Sequence, residues 1–349
     1  MKTLLFFILI YSCQTVNATN YYFSSSIGDD NRNSSQAQNP NTPWKTIDKL
    51  NTFFSSLQPG DSILFKRGET FFGSIAAIKS GTTSQPIIIS TYGSGNKPII
   101  TGSATLTNWT SVGNGIWEST SSSLGSIVNT VLLNDAPQEM GRYPNSNAVN
   151  KGYLNYESHN ANSSITDNEL SSSPNWAGAE VVIRKNPWIL DRQTITAHTG
   201  STLSYSGGGY NATDNFGYFI QNDIRTLDMI GEWYYNPSLK KINMFFGSNN
   251  PSSYDVKVGA VDNLVYINSI NNVVFDNLSF KGANVYGLII NAAQNIQVKN
   301  CDIIASGDCG IKASNTTSLV VENSFVSYSN NNGIDLENNN NNSIVKGNK

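Results

Sequence analysis

Charge is the scarcest ingredient of this chain. Only 13% of its 349 residues are Asp, Glu, Lys or Arg, and 22 basic against 25 acidic side chains leave a net charge of -3. Such a chain lacks the basic stripe that nucleic acid requires, so no nucleic-acid partner is expected. Cysteine is nearly absent as well. Of Cys13, Cys301 and Cys309, the last two share one short stretch, and a disulfide between them would need the intervening turn to fold back. A buried Cys301 beside a free Cys309 is the simpler expectation. The two histidines, His159 and His198, lie far apart in sequence. No Cys/His spacing suits a metal, and none is expected. Long apolar runs are missing too, since the stretch at residues 4–10 is too short to span a bilayer. No transmembrane segment is therefore expected.

That short run has its own meaning. Behind Lys2 and ahead of the small-residue site Val16-Asn17-Ala18, it reads as an export signal over residues 1–18. The rival is a lipoprotein box, Ile10-Tyr11-Ser12-Cys13, with Cys13 acylated, although Tyr11 is bulky for such a box. The expectation is a secreted or cell-surface protein.

What the chain has in abundance is a beat. Val265, Leu288, Ile311 and Ile334 are spaced 23 residues apart, as are Val273, Ile296 and Leu319, then Phe275, Val298 and Val321, then Phe280, Ile303 and Val326. Asn277, Asn300 and Asn323 keep the same register, and so do Gly287, Gly310 and Gly333. Short β-branched runs at this period mark a solenoid of stacked strands. The fold class is all-β, a right-handed single-stranded parallel β-helix of about 23 residues per coil. Alternation of Val273 and Phe275 with polar residues turns one side of each strand to a shared core. The asparagines suit a ladder in which each amide donates to one neighbouring coil and accepts from the other. The glycines suit bends with unusual backbone angles, or close approach between coils.

Ahead of the repeats the pattern changes twice. Strand-like runs at Tyr21-Tyr22-Phe23, Ser62-Ile63-Leu64-Phe65, Ile87-Ile88-Ile89 and Ile99-Ile100 surround a segment in which Trp44, Ile47 and Leu50 fall at helical spacing behind Pro43. That helix is expected to cap the open N-terminal end of the solenoid. Residues 136–260 break the rhythm and carry alternating stretches such as Glu180-Val181-Val182-Ile183-Arg184. The expected order is a signal at 1–18, an N-terminal cap and first coils at 19–135, a β-rich insertion at 136–260 and repeats at 261–349. The last coil, from Ile334 to Lys349, is shorter than a full repeat, so the repeats are expected to be truncated there.

Several segments carry a resemblance. Tyr21-Tyr22-Phe23-Ser24, Gly28-Asp29-Asp30, Pro43-Trp44-Lys45-Thr46-Ile47, Pro59-Gly60-Asp61-Ser62-Ile63-Leu64-Phe65, Arg67-Gly68-Glu69 and Tyr92-Gly93-Ser94-Gly95 resemble the opening of secreted bacterial right-handed β-helix proteins of the pectate-lyase-like superfamily, which includes polysaccharide lyases and glycoside hydrolases. Gly141-Arg142-Tyr143-Pro144-Asn145 and residues 227–235 resemble a subset with glycoside hydrolases in it, departing from its pattern at Met229-Ile230. The resemblance implies architecture more strongly than reaction. It implies a monomer acting on a polysaccharide or oligosaccharide.

Chemistry of that kind needs carboxylates. Hydrolysis requires an acid pair, and β-elimination a base beside a uronate carboxylate with a cation to stabilise the enolate. The register aligns Tyr266, Ile289, Lys312 and Asp335 in one outward column, with Glu337 two residues along and Asp308 in the turn before Gly310. Asp308, Lys312, Asp335 and Glu337 are candidate catalytic residues, with Glu232 as a further acid beside Trp233. Arg142, Trp233 and Tyr266 are candidate substrate contacts. Each has a plainer role available: a Lys312–Asp335 surface salt bridge, a turn at Asp308, a structural hydrogen bond at Glu232, and an Arg142 that anchors the Tyr143-Pro144 turn. Hydrolysis of a polysaccharide is expected ahead of β-elimination, which would bring calcium, and ahead of a non-catalytic adhesive role. No other cofactor is implied.

Overall fold

A computed structural model describes residues 18–349 and divides them into two compact units. The expected signal segment and Cys13 lie outside the described residues, apart from Ala18. The first unit comprises residues 18–101, Asn263–Lys281 and Tyr286–Lys349.

This first unit is a parallel β-helix with three sheets. One is seven-stranded, in the order Asn20–Phe23, Ser62–Lys66, Ile87–Tyr92, Asn271–Asp276, Gln294–Lys299, Val320–Glu322 and Ile344–Lys346. The two five-stranded sheets run through Ile75–Ala77, Asn263–Asn268, Tyr286–Asn291, Ile311–Ser314 and Ile334–Glu337, and through Thr70–Phe72, Ile99–Thr101, Ser279–Ala283, Asp302–Ser306 and Phe325–Ser329. The 23-residue register is the pairing register: Val265 opposes Leu288, Leu288 opposes Ile311, and Ile311 opposes Ile334. Val273, Phe275, Phe280, Leu288 and Ile303 are all buried, because period-two alternation gives each strand one inward face.

The corner columns behave differently from the expected amide ladder. Asn277, Asn300 and Asn323 have φ of 65°, 52° and 52°, a left-handed conformation that asparagine tolerates better than most residues. Asn300 Nδ2 donates to Asp276 Oδ1 at 2.8 Å. Their column turns the chain, and a true amide rung occurs elsewhere, from Asn295 Nδ2 to Asn272 Oδ1 at 2.9 Å. For the glycines, close approach is the operative reason. A Cβ on Gly287 would stand 2.5 Å from Gly310 O, and one on Gly310 would stand 2.6 Å from Gly333 O.

At the N-terminal end the helix spans Ile47–Phe53 with Thr46 as N-cap, its hydroxyl accepting from Lys49 N. Trp44 precedes the helix and instead forms a bridge with Phe23. The helical spacing over-read by one turn, because Asp30 fixes Lys45 N and Thr46 N before the helix starts. Trp44, Ile47, Leu50 and Phe54 are fully buried or nearly so, and they cover apolar side chains of the first coils.

The second unit comprises Gly102–Asp262 and Gly282–Val285. It begins earlier than the broken rhythm suggests, because Ser103–Thr105 pairs antiparallel with Val256–Gly259, and Ile116–Thr120 with Lys241–Phe245. An eight-stranded antiparallel sheet is built around Glu180–Asn186, Ile189–Thr199 and Gly217–Gln221. Its inner face packs Tyr156, Ile165, Val181, Ile183, Ile195, Leu203, Tyr218 and Ile220 into one core. In the first unit, Asn263–Asn268 pairs in parallel with Ile75–Ala77, Tyr266 opposite Ala76, so the coil stack resumes in register after the insertion.

Candidate active site

The outward column of the repeats forms as the spacing predicts. Tyr266 opposes Ile289, Ile289 opposes Lys312, and Lys312 opposes Asp335, a ladder across four coils or about 14 Å at the usual strand separation. The salt bridge is another matter. Lys312 Nζ lies 2.9 Å from Glu337 Oε1, so the expected Lys312–Asp335 bridge gives way to a diagonal pair, which a long lysine stem reaches readily across a sheet. The hydrogen bond to Glu337 is also the leading reason that the Lys312 ammonium is held above its ordinary pKa. Its Nζ stands 5.5 Å from the centroid of the Tyr286 ring.

Asp335 and Asp308 both approach one thiol. Cys309 Sγ lies 3.4 Å from Asp308 Oδ1 and 3.8 Å from Asp335 Oδ2. The two carboxylates are therefore within roughly 7 Å of each other, a span that admits the separations of retaining glycosidases and the shorter ones of inverting enzymes. Burial is the main cause pushing the Cys309 thiol up to about 11, with Asp308 and Asp335 adding to it. Cys309 thus remains a neutral thiol beside two acids. Tyr286 hydrogen-bonds Asp308, and its hydroxyl pKa is raised by burial first and by the Asp308 charge second. Tyr266 is 41% exposed on the same sheet, an aromatic face open to a ring-shaped partner. Asp308, Lys312, Asp335 and Glu337 are thus brought together on one face.

The candidates in the second unit do other work. Glu232 is buried, and its Oε2 accepts from Asp228 N and Met229 N at 3.0 Å each. Burial raises its pKa, while those bonds and the backbone N–H of Arg142 oppose the rise. Its carboxylate secures the turn at Asp228 and Met229. Trp233 is buried in an apolar cluster and donates Nε1 to Gln138 O at 3.0 Å, so it offers no platform. Arg142 donates Nε to Pro144 O at 3.1 Å and an NH2 proton to Gly152 O, and it lies 3.5 Å above the Phe219 ring. These contacts anchor the Tyr143-Pro144 turn. Short sequence motifs show residue types but not which backbone groups those side chains meet.

Tyr286 was not singled out in the sequence, nor Cys309 as a neighbour of these acids. The signal was present, because they are one coil apart and precede the inward Leu288 and Ile311 by two residues each. Among the described residues, no group of three or more His, Cys, Asp or Glu is placed to hold a metal ion. Cys301 and Cys309 are both buried free thiols. Also among the described residues, no helix is long and apolar enough to cross a membrane.

Residues 248–349 match the family model described as "Right handed beta helix region". A 90-residue stretch is 40% identical to a lacto-N-biosidase of Bifidobacterium longum subsp. longum, covering 25% of this chain and 5% of that protein. A solved glycoside hydrolase superposes with a TM-score of 0.68 at 14% identity, over 88% of this chain and 66% of that one. A lacto-N-biosidase from Eubacterium ramulus superposes with a TM-score of 0.42 at 14% identity, over 95% of this chain and 41% of that one. The fold is a right-handed parallel β-helix. This chain spans a small part of the curated relative that it matches.

Proposed function

We propose that this chain is an exported carbohydrate-active protein that cleaves a polysaccharide by glycoside hydrolysis on the exposed face of its β-helix. The observation that carries the reading is the approach of Asp308 and Asp335, from neighbouring coils, to one neutral thiol. One acid would protonate the leaving oxygen, and the other would attack the sugar or activate water. Lys312, paired with Glu337 and held protonated, is poorly placed as the base of a β-elimination. It is better suited to fixing Glu337 and favouring negative charge nearby. Tyr266 supplies a stacking surface along the ladder. The local likeness to a lacto-N-biosidase supports glycosidic-bond cleavage as the chemistry.

The test is a panel of neutral and uronate polysaccharides, read by new reducing ends and by ultraviolet absorbance of unsaturated uronate. Reducing ends without unsaturated product are expected. Asp308→Asn and Asp335→Asn should each lower the rate by about a hundredfold or more, with circular dichroism unchanged. Unsaturated product, or variants as active as the parent, would overturn the assignment. Export is tested by N-terminal sequencing of protein recovered outside the cell, which should begin near Thr19.

A further inference from the structure

We propose that the outward face of the eight-stranded sheet in the second unit binds an anionic glycan, a sugar chain bearing carboxylate or sulfate groups. This goes beyond the hydrolytic reading and stands on a separate unit. The inner face of this sheet is committed to core through Val181, Ile183, Tyr218 and Ile220. Alternation sends Glu180, Val182 and Arg184 to the other side, opposite Thr194, Arg192 and Leu190.

Two cavities, of about 380 and 210 Å³, open against this strand pair. Glu180 and Arg192 line the first, and Arg184, Trp188, Leu190 and Tyr153 line the second. Arg184 and Arg192 are one diagonal step apart, about 7–8 Å between backbones.

Glu180 and Arg192 offset one another at this face, so its positive excess rests on Arg184. The acid, Glu180, is already taken: Arg192 reaches both its oxygens at 2.9 and 3.2 Å, and Gln221 Nε2 donates at 2.9 Å. Arg184 spends one N–H on Pro187 O at 3.0 Å, which orients the fork and leaves other donors for an incoming oxyanion. Both guanidinium groups are exposed. Trp188 is 79% exposed and Leu190 57%. An indole held at a hairpin tip beside a guanidinium offers a flat apolar face for a sugar ring and a fork for its anionic group. With a net charge of -3, the chain as a whole does not suit a nucleic acid. The local pairing of arginine with an open indole suits a charged sugar.

The test is affinity electrophoresis of the full chain in native gels containing polygalacturonate, alginate, dextran sulfate or neutral dextran. Retardation in at least one anionic gel, weakening with added salt, and none in dextran is the expected result. The polygalacturonate and alginate lanes against the dextran sulfate lane tell carboxylate from sulfate recognition. Trp188→Ala, Arg184→Gln and Arg192→Gln should each weaken retardation about tenfold. Trp188 is so exposed that its variant is expected to fold, which circular dichroism checks. Free migration in every gel, equal retardation in dextran, or variants retarded like the parent would overturn the proposal. Reducing-end release measured in parallel keeps the two readings apart, since a parent chain that hydrolyses but migrates freely in every gel sinks only this one.

Discussion

Glu69→Gln is expected to destabilise the first coils in a pH-dependent way. The Glu69 carboxylate gathers the Ser24-Ser25-Ser26 turn: it accepts from Ser24 Oγ at 2.9 and 3.0 Å, from Ser25 N at 2.6 Å and from Ser26 Oγ, and Lys66 Nζ lies 3.2 Å away. Burial alone would raise its pKa. The hydroxyls of Ser26 and Ser24, Lys66 and the Ser26 backbone N–H outweigh that and lower it from 4.5 to about 2. At about 1.4 kcal/mol per unit the ceiling is about 3.5 kcal/mol, and partial solvent screening brings the expectation to about 1.5–2 kcal/mol. A depressed folded-state pKa stabilises above the unfolded value, and this is lost as pH falls through about 4.5 toward about 2. Urea midpoints followed by circular dichroism should therefore separate parent and Glu69→Gln near neutral pH, and should converge as pH approaches about 2. Equal midpoints at neutral pH, or a gap unchanged in acid, would refute the reasoning.

Other outcomes follow from the same structure. Gly287→Ala should cost about 1–3 kcal/mol by overpacking, since its Cβ would meet Gly310 O and Ile303 Cγ2 at 2.5 Å; an unchanged thermal midpoint contradicts this. Lys185 is fully buried with Nζ 2.8 Å from Asp191 Oδ2. Removing either partner alone should cost about 3 kcal/mol, while Lys185→Met with Asp191→Leu should recover most of it, as a double-mutant cycle would show. Chelation with EDTA should leave reducing-end release unchanged, because a carboxylate pair hydrolyses glycosides without a metal. Loss of release restored by calcium would instead favour elimination.

Much of the first unit was legible in the chain because its signal is repeated. A 23-residue beat that recurs in several columns reflects one constraint, the stacking of equivalent inward residues, and the pairing register follows it from Val265 to Ile334. The glycines and the shared face of Asp308, Lys312, Asp335 and Glu337 belong to that same periodicity. Tertiary structure decided what periodicity does not encode. Lys312 pairs with Glu337 instead of Asp335 because side-chain reach, and not register, selects among neighbours on a sheet. The turn asparagines act through left-handed backbone instead of a column of amides. The backbone partners of Glu232, Trp233 and Arg142 were likewise set by the tertiary structure. The second unit, whose antiparallel pairings join residues more than a hundred positions apart, has no repeat to announce its register. Its outward arginines and open Trp188 therefore emerged only when the strands were paired.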